Sequence, residues 1–329
     1  MSKEGKTVKS VLISRYGAYG DILHMSHLPR MLKEECGFDY VAVDTNFKGY
    51  QILSLNPFID KFYFFDKEIT NNAVLQKRWE VLGSRYDHFI NLYHTLEYDC
   101  IAMEDQSMYY MHDDVRRAFG KGNFYDRSTV CAGYPQLAGN HKADIFFSEA
   151  EIDVVDRNMR KHDGKFKVML NLSGSGPHKR LVVAQELVKQ IRKLPDSLII
   201  TTGDVTCTEA DELIKPDISL IKLGAPINQA MATLKHVDCC IGHESGIMIA
   251  SNAMEVPTIQ LMTSSSLENH PNYCHNDYSM QSPANCSPCH KGPYKYIGCH
   301  KIDNMPECIF FNVSEIMENV NEIYKIWKS

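Results

Sequence analysis

Short apolar runs and segments with apolar residues at helical spacing alternate along most of this chain. Lys9 to Arg15 has the bulk of a buried strand, and Ile22, Leu23, Met25, Leu28, Met31 and Leu32 then line one side of a helix. Tyr40 to Val43 and Phe58 to Phe65 read as strands around a short helix at Gly49 to Leu55, which Asn56-Pro57 stops. Ile69 to Leu82 reads as a helix and Tyr86 to Leu92 as another strand. After a helix and polar linker over Ser148 to Asp163, the alternation restarts. Strands at Lys167 to Leu172, Ser197 to Thr202, Ser219 to Leu223, Val237 to Ile241 and Val256 to Met262 are separated by helical stretches. Strands that alternate with helices in this way predict parallel sheets. The expected architecture is two doubly wound α/β domains, residues 1–150 and 151–312, closed by an amphipathic helix over 313–329.

In such domains ligands bind at the turns leaving the carboxyl ends of strands, where bare amides at a helix start attract anions. Three turns stand out. The first is Tyr16-Gly17-Ala18-Tyr19-Gly20-Asp21, where glycines let a ligand approach the backbone and Asp21 is either a catalytic carboxylate or a helix cap. It lacks the full dinucleotide pattern G-x-G-x-x-G. The second is Ser173-Gly174-Ser175-Gly176-Pro177-His178-Lys179-Arg180, where small residues and two cations suit a diphosphate. It lacks the Walker form, which argues against an ATPase. The third is His243-Glu244-Ser245-Gly246, whose carboxylate and hydroxyl either hold sugar hydroxyls or cap the following helix. The stretch Tyr93 to Gly139 is irregular and rich in Tyr, His, Met and Asp. It suits either an acceptor pocket or aromatic core packing.

The 329 residues carry a net charge of −6, with 44% hydrophobic and 23% charged residues. That composition excludes a disordered chain and argues against a protein that coats nucleic acid electrostatically. No apolar run approaches the roughly 18 residues of a membrane span. The polar start MSKEGKTVKS leads straight into a strand, so the sequence predicts a cytoplasmic protein without a signal peptide.

The odd total of 11 Cys fits reduced thiols. Four of them follow the pattern Cys286-x2-Cys289-x9-Cys299-x8-Cys308. Such a set either chelates one structural zinc or iron ion in a finger over 286–308, with His290 and His300 as spare ligands, or stays as free thiols.

Taken together these segments resemble glycosyltransferase family nine, the heptosyltransferase-like enzymes. The resemblance rests on Arg15 to Leu23 with Pro29 and Leu32-Lys33, Asn56 to Asp60, Tyr86-Asp87, Ser173-Gly174-Ser175 with Lys179, and Glu244-Ser245-Gly246 with Val256-Pro257-Thr258. The cysteines are similar to the metal finger of the autotransporter-heptosyltransferase branch. Where those enzymes carry Asp-Thr-Gly and a His three residues on, this chain has Glu244-Ser245-Gly246 and Ile249.

The resemblance implies a GT-B fold, two Rossmann-like domains facing a cleft. It implies an inverting transfer of a heptose or hexose-like sugar from a nucleotide-diphosphate donor, without a catalytic divalent metal. Asp21 would be the base, with Gly17, Tyr19 and Gly20 beside the acceptor. Ser173, Gly174, Ser175, Lys179, Glu244, Ser245 and Gly246 would hold the donor. The acceptor is open between a saccharide, a protein and a modified nucleic-acid base, and a homo-oligomer is compatible. Two other readings stand beside it: a sugar-nucleotide epimerase or hydrolase on the same fold, and a non-enzymatic metal-finger binding protein.

Overall fold

The computed structural model describes residues 8–65, 72–93, 95–96, 101–102, 105–139, 141–269, 274–291, 299, 301–302 and 305–329. His300 and the first three residues of the helix expected from Ile69 lie outside them. The chain divides into two compact units, one of residues 1–95 with 125–146, the other of residues 96–124 with 147–329.

The first unit is built on a parallel sheet of β1 (Ser10–Ser14), β2 (Tyr40–Thr45), β3 (Lys61–Phe64) and β4 (His88–Asn91) in the order β3-β2-β1-β4. Val11, Leu12, Ile13, Val41, Ala42 and Val43 are fully buried. Such unbroken apolar runs are what a parallel strand covered on both faces requires. β2 lies on one side of β1 and β4 on the other, so the direction of winding reverses beside β1. The returning segment 125–146 docks on the helix Leu28–Glu34. Arg30 pairs with Asp144 at 2.8 Å, and the buried His27 ring stacks on His141 at 5.2 Å.

The second unit carries a six-stranded parallel sheet in the order β10-β9-β8-β5-β6-β7. Its strands are β5 (Phe166–Asn171), β6 (Ser197–Thr202), β7 (Ile218–Ser219), β8 (Cys239–His243), β9 (Thr258–Met262) and β10 (Met280–Gln281). β7 is shorter than the Ser219 to Leu223 run suggests. It is an edge strand, and the chain turns at Ile221 to Gly224, where Gly224 takes a φ of +60°. The core joins Phe166, Val168, Leu170, Leu187, Ile191, Ile241 and Ile259 to Ile316, Val320 and Ile323 of the helix Val313–Lys328. That helix is therefore a layer of this unit.

The sequence places the domain boundary at 150. The chain instead passes into the second unit at 96, returns at 125, and leaves the first unit after 146. The physical reason is pairing between segments far apart in sequence. The Asn269 side chain donates to the carbonyls of Gly120 and Gly122 at 2.6 and 2.8 Å, and Ala102 N–H donates to the His290 carbonyl at 2.8 Å. The aromatic-rich stretch is thus split between the units. Among the described residues no helix is long and apolar enough to cross a membrane.

Candidate active site

In the first unit the turn after β1 is closed by Asp21, in the short helix Tyr19–Leu23. Asp21 Oδ2 accepts the Ala18 N–H at 2.7 Å, and Oδ1 lies 3.5 Å from the buried Arg15 guanidinium. The carboxylate is therefore both a helix cap and one member of an ion pair, while its side chain keeps 30% of its surface exposed. Gly17 makes this possible. A Cβ there would stand 2.6 Å from Asp21 Oδ2, and the φ of +152° suits glycine. Tyr19 donates its hydroxyl to Gln51 at 2.9 Å, and Gly20 lies in the helix.

Gly17→Ala must push the carboxylate aside. A displacement of about an ångström costs on the order of 100-fold in rate when geometry is what a group supplies.

Behind the turn sits a second charged group. Asp44, fully buried at the end of β2, pairs with Arg78 at 2.6 Å and accepts the Tyr16 hydroxyl. Burial, then the Asp44 charge, pushes the Tyr16 hydroxyl up to about 12, so it stays a donor. Asn46 caps the next helix through its carbonyl, which accepts from Gly49 N–H, and its amide donates to the Gly17 carbonyl at 2.9 Å. Asp44, Asn46 and Arg78 were not marked by the sequence, because the partners that give them a role lie 29 to 34 residues away.

In the second unit the two other turns leave β5 and β8, which are neighbours at the point where the strand order reverses. This is where open α/β sheets bind ligands. Asn171, the last residue of β5, joins the turns. Its amide donates to the Ser173 carbonyl at 2.7 Å and to Ser245 Oγ at 3.0 Å. Ser245 caps the helix Gly246–Ala253 by accepting from Met248 N–H, and Gly246 is that helix's first residue. Ser173 Oγ accepts the Asp204 N–H at 3.0 Å, and Ser175 is exposed. Lys179 folds over Gly174. A Cβ at Gly174 would lie 2.6 Å from Lys179 Cβ and 3.1 Å from the Glu244 carbonyl oxygen. The two turns therefore meet, with a half-buried cation between them.

Glu244 spends its hydrogen bonds within the protein. Its side chain is buried, accepts from Thr263 N–H and Oγ1 at 3.2 and 2.7 Å, and accepts from Ser265 N–H at 3.2 Å. Burial alone would raise its pKa, but the Lys179 charge and these hydrogen bonds outweigh it and hold the carboxyl below its usual range. Glu244 thus ties the β8 turn to the β9 turn and faces Lys179 as a counter-charge. Two buried imidazoles lie near it, both kept neutral by desolvation: His178 is lowered to about 3 and His243 to about 4. His243 Nδ1 contacts the Leu261 carbonyl at 2.9 Å, and a carbonyl only accepts, so Nδ1 carries the proton.

The cysteines Cys286, Cys289, Cys299 and Cys308 are half-buried and free. Burial pushes the Cys289 and Cys308 thiols up to about 11 and 12, and each is within electrostatic reach of the other three or of two of them. Among the described residues no group of three or more His, Cys, Asp or Glu is placed to hold a metal ion. Residues 292–298, 300 and 303–304 between these cysteines are outside the description. The knuckle is held from the 96–124 excursion. Arg116 donates to the Cys289 carbonyl at 2.9 Å, and Arg117 to those of Pro288 and Asn285 at 3.2 and 3.0 Å.

Residues 223–298 match the family described as glycosyltransferase family 9 (heptosyltransferase). A search of curated protein sequences finds no match. The fold is that of several solved structures. A family 9 glycosyl transferase from Veillonella parvula shares 13% identity over 96% of this chain and 97% of its own, with a TM-score of 0.68. The ADP-heptose LPS heptosyltransferase II of E. coli shares 13% identity over 97% and 100%, at 0.66. The iron-containing dodecameric glycosyltransferase TibC of enterotoxigenic E. coli shares 12% over 98% of this chain and 78% of its own, at 0.60. The architecture is thus the GT-B fold of these enzymes, and residues 223–298 are similar to glycosyltransferase family 9.

Proposed function

We propose that this chain is an inverting glycosyltransferase that moves a heptose or similar sugar from a nucleoside diphosphate donor to an acceptor hydroxyl. The observation that carries the reading is the meeting of the β5 and β8 turns around Lys179. Free amides, a helix start and a cation there suit a diphosphate. The named donor of the E. coli relative, ADP-heptose, supports the same class.

In the reaction Asp21 takes the proton of the acceptor hydroxyl as that oxygen attacks the anomeric carbon. The new carbon–oxygen bond forms on the face opposite the diphosphate. The old carbon–oxygen bond breaks, and the nucleoside diphosphate leaves with its electron pair. Lys179 and the amides of the 173–176 turn stabilise the charge that gathers on it. Glu244, already balanced by Lys179 and three hydrogen bonds, holds the turn in place while this happens.

The test is a thermal-shift screen of nucleoside diphosphates and nucleotide sugars, followed by product analysis. Stabilisation by one nucleotide family, lost in Lys179→Ala, with the sugar found on an acceptor, supports transfer. Release of free sugar and nucleoside diphosphate with no acceptor product would point to a hydrolase.

We further propose that Cys286, Cys289, Cys299 and Cys308 hold a structural zinc or iron ion. The chemistry of the donor set suits such an ion: four free thiols, with Cys308 within electrostatic reach of the other three. When bound, the ion supplies a crosslink between the 286–289 knuckle and the 299–308 loops, and no chemistry. Purified protein is expected to carry about one ion per chain. Cys289→Ser should lose it and melt at a lower temperature. A metal-free wild type with an unchanged melting point in chelator would refute the finger.

A further inference from the structure

We propose that Arg15 is the positioning residue for the Asp21 carboxylate, an inference that rests on reading Asp21 as the base. Arg15 directly follows β1 and is 1% exposed, the bulkiest of the fully buried side chains. A guanidinium does not lose its proton in a protein, and burying one is unfavourable unless it has partners. A leucine would fill this place at less cost, so the charge must be doing something the apolar core does not.

The partners say what. Nη1 donates to the Leu92 carbonyl at 2.8 Å, just beyond β4, and Nη2 faces Asp21 Oδ1 at 3.5 Å. The guanidinium therefore spans the point where the strand order reverses and reaches the turn from below. Asp44 is matched by Arg78, Tyr16 and Ser14. Asp21 is the carboxylate left to face Arg15. Its other oxygen is already held by Ala18 N–H at 2.7 Å. Each oxygen thus has a different partner, and the two together orient the plane of the carboxylate. A proton acceptor held in one orientation needs no reorganisation when the acceptor hydroxyl arrives. A lysine is a point charge on a flexible stem and cannot fork between Leu92 and Asp21 in the same way.

The experiment compares Arg15→Lys, Arg15→Met, Asp21→Asn and the double variant Arg15→Met/Asp21→Asn, all checked by thermal unfolding. Arg15→Met is expected to lower kcat about 10- to 100-fold with the donor KM unchanged, and Arg15→Lys to recover part of it. The double variant should be no slower than Asp21→Asn alone, because a positioning residue acts only through the group it positions. If Arg15→Met does not fold, Arg15→Lys and its double with Asp21→Asn carry the same comparison. Losses that multiply in the double variant, or full kcat in a folded Arg15 variant, overturn the proposal. If Asp21→Asn is itself as fast as the wild type, it is the reading of Asp21 as base that fails, which is a different result.

Discussion

Asp21→Asn is expected to lower kcat for sugar transfer by about 100- to 10,000-fold, the range general-base groups supply. The substitution is nearly isosteric. Its side-chain oxygen can still accept the Ala18 N–H, so the turn keeps its cap. What it loses is the ability to take a proton and the charge that faces Arg15. The groups proposed to bind a nucleoside diphosphate all belong to the second unit, so thermal shifts with the donor nucleotide should match the wild type. A loss of the nucleotide shift would show that the variant has disturbed the fold rather than the chemistry. Transfer at the wild-type rate would remove Asp21 from the mechanism.

Glu244→Ala is expected to lower stability by about 3–5 kcal/mol, whatever it does to activity. The carboxylate is buried, and removing it leaves the Thr263 and Ser265 N–H groups and the Thr263 hydroxyl without their acceptor. Each buried polar group orphaned in this way costs on the order of 1–3 kcal/mol, partly relieved by water. Lys179 also loses its counter-charge. Glu244→Gln keeps one acceptor oxygen and should fall between the two. Urea unfolding measures the loss, and titration with the donor nucleotide separates it from binding. A variant that melts like the wild type yet binds donor sugar poorly would return Glu244 to the role of holding sugar hydroxyls.

That reversal marks what a single sequence can say here. The strands, the parallel sheets and the three glycine-bearing turns are legible because buried parallel strands leave apolar runs, and glycine with a cap residue marks each turn. Asp21, Lys179 and Gly174 lie in turns that were legible on those grounds. The direction in which a side chain points is not written locally. Glu244 and Ser245 carry the groups that hold sugars, and the same groups cap helices and tie turns. Here Glu244 reaches Thr263 and Ser265, and Ser245 reaches Met248 and Asn171. Asn171 was read only as part of a strand, since its partner Ser245 lies 74 residues away, and Arg15 was read as the end of a strand and the start of a motif, without a role of its own. The division of the chain at 96 and 125 was hidden for the same reason, because it depends on Asn269 and His290.

The excursion 96–124 also has a cost in time. Gly120 waits for Asn269, which follows 149 residues later. At about 5–20 residues per second a ribosome needs roughly 7–30 seconds to make that stretch. Until then Arg116, buried in the finished protein, has no Cys289 carbonyl to bond, the buried Tyr109 ring has no Lys291 over it, and Tyr110, Met111 and Val115 beside them stay exposed even at the end. The first unit is completed by 125–146 well before this. The nascent chain therefore carries a folded unit with an unsatisfied aromatic loop emerging from it, and that interval is when a chaperone or a neighbouring chain has most to bind.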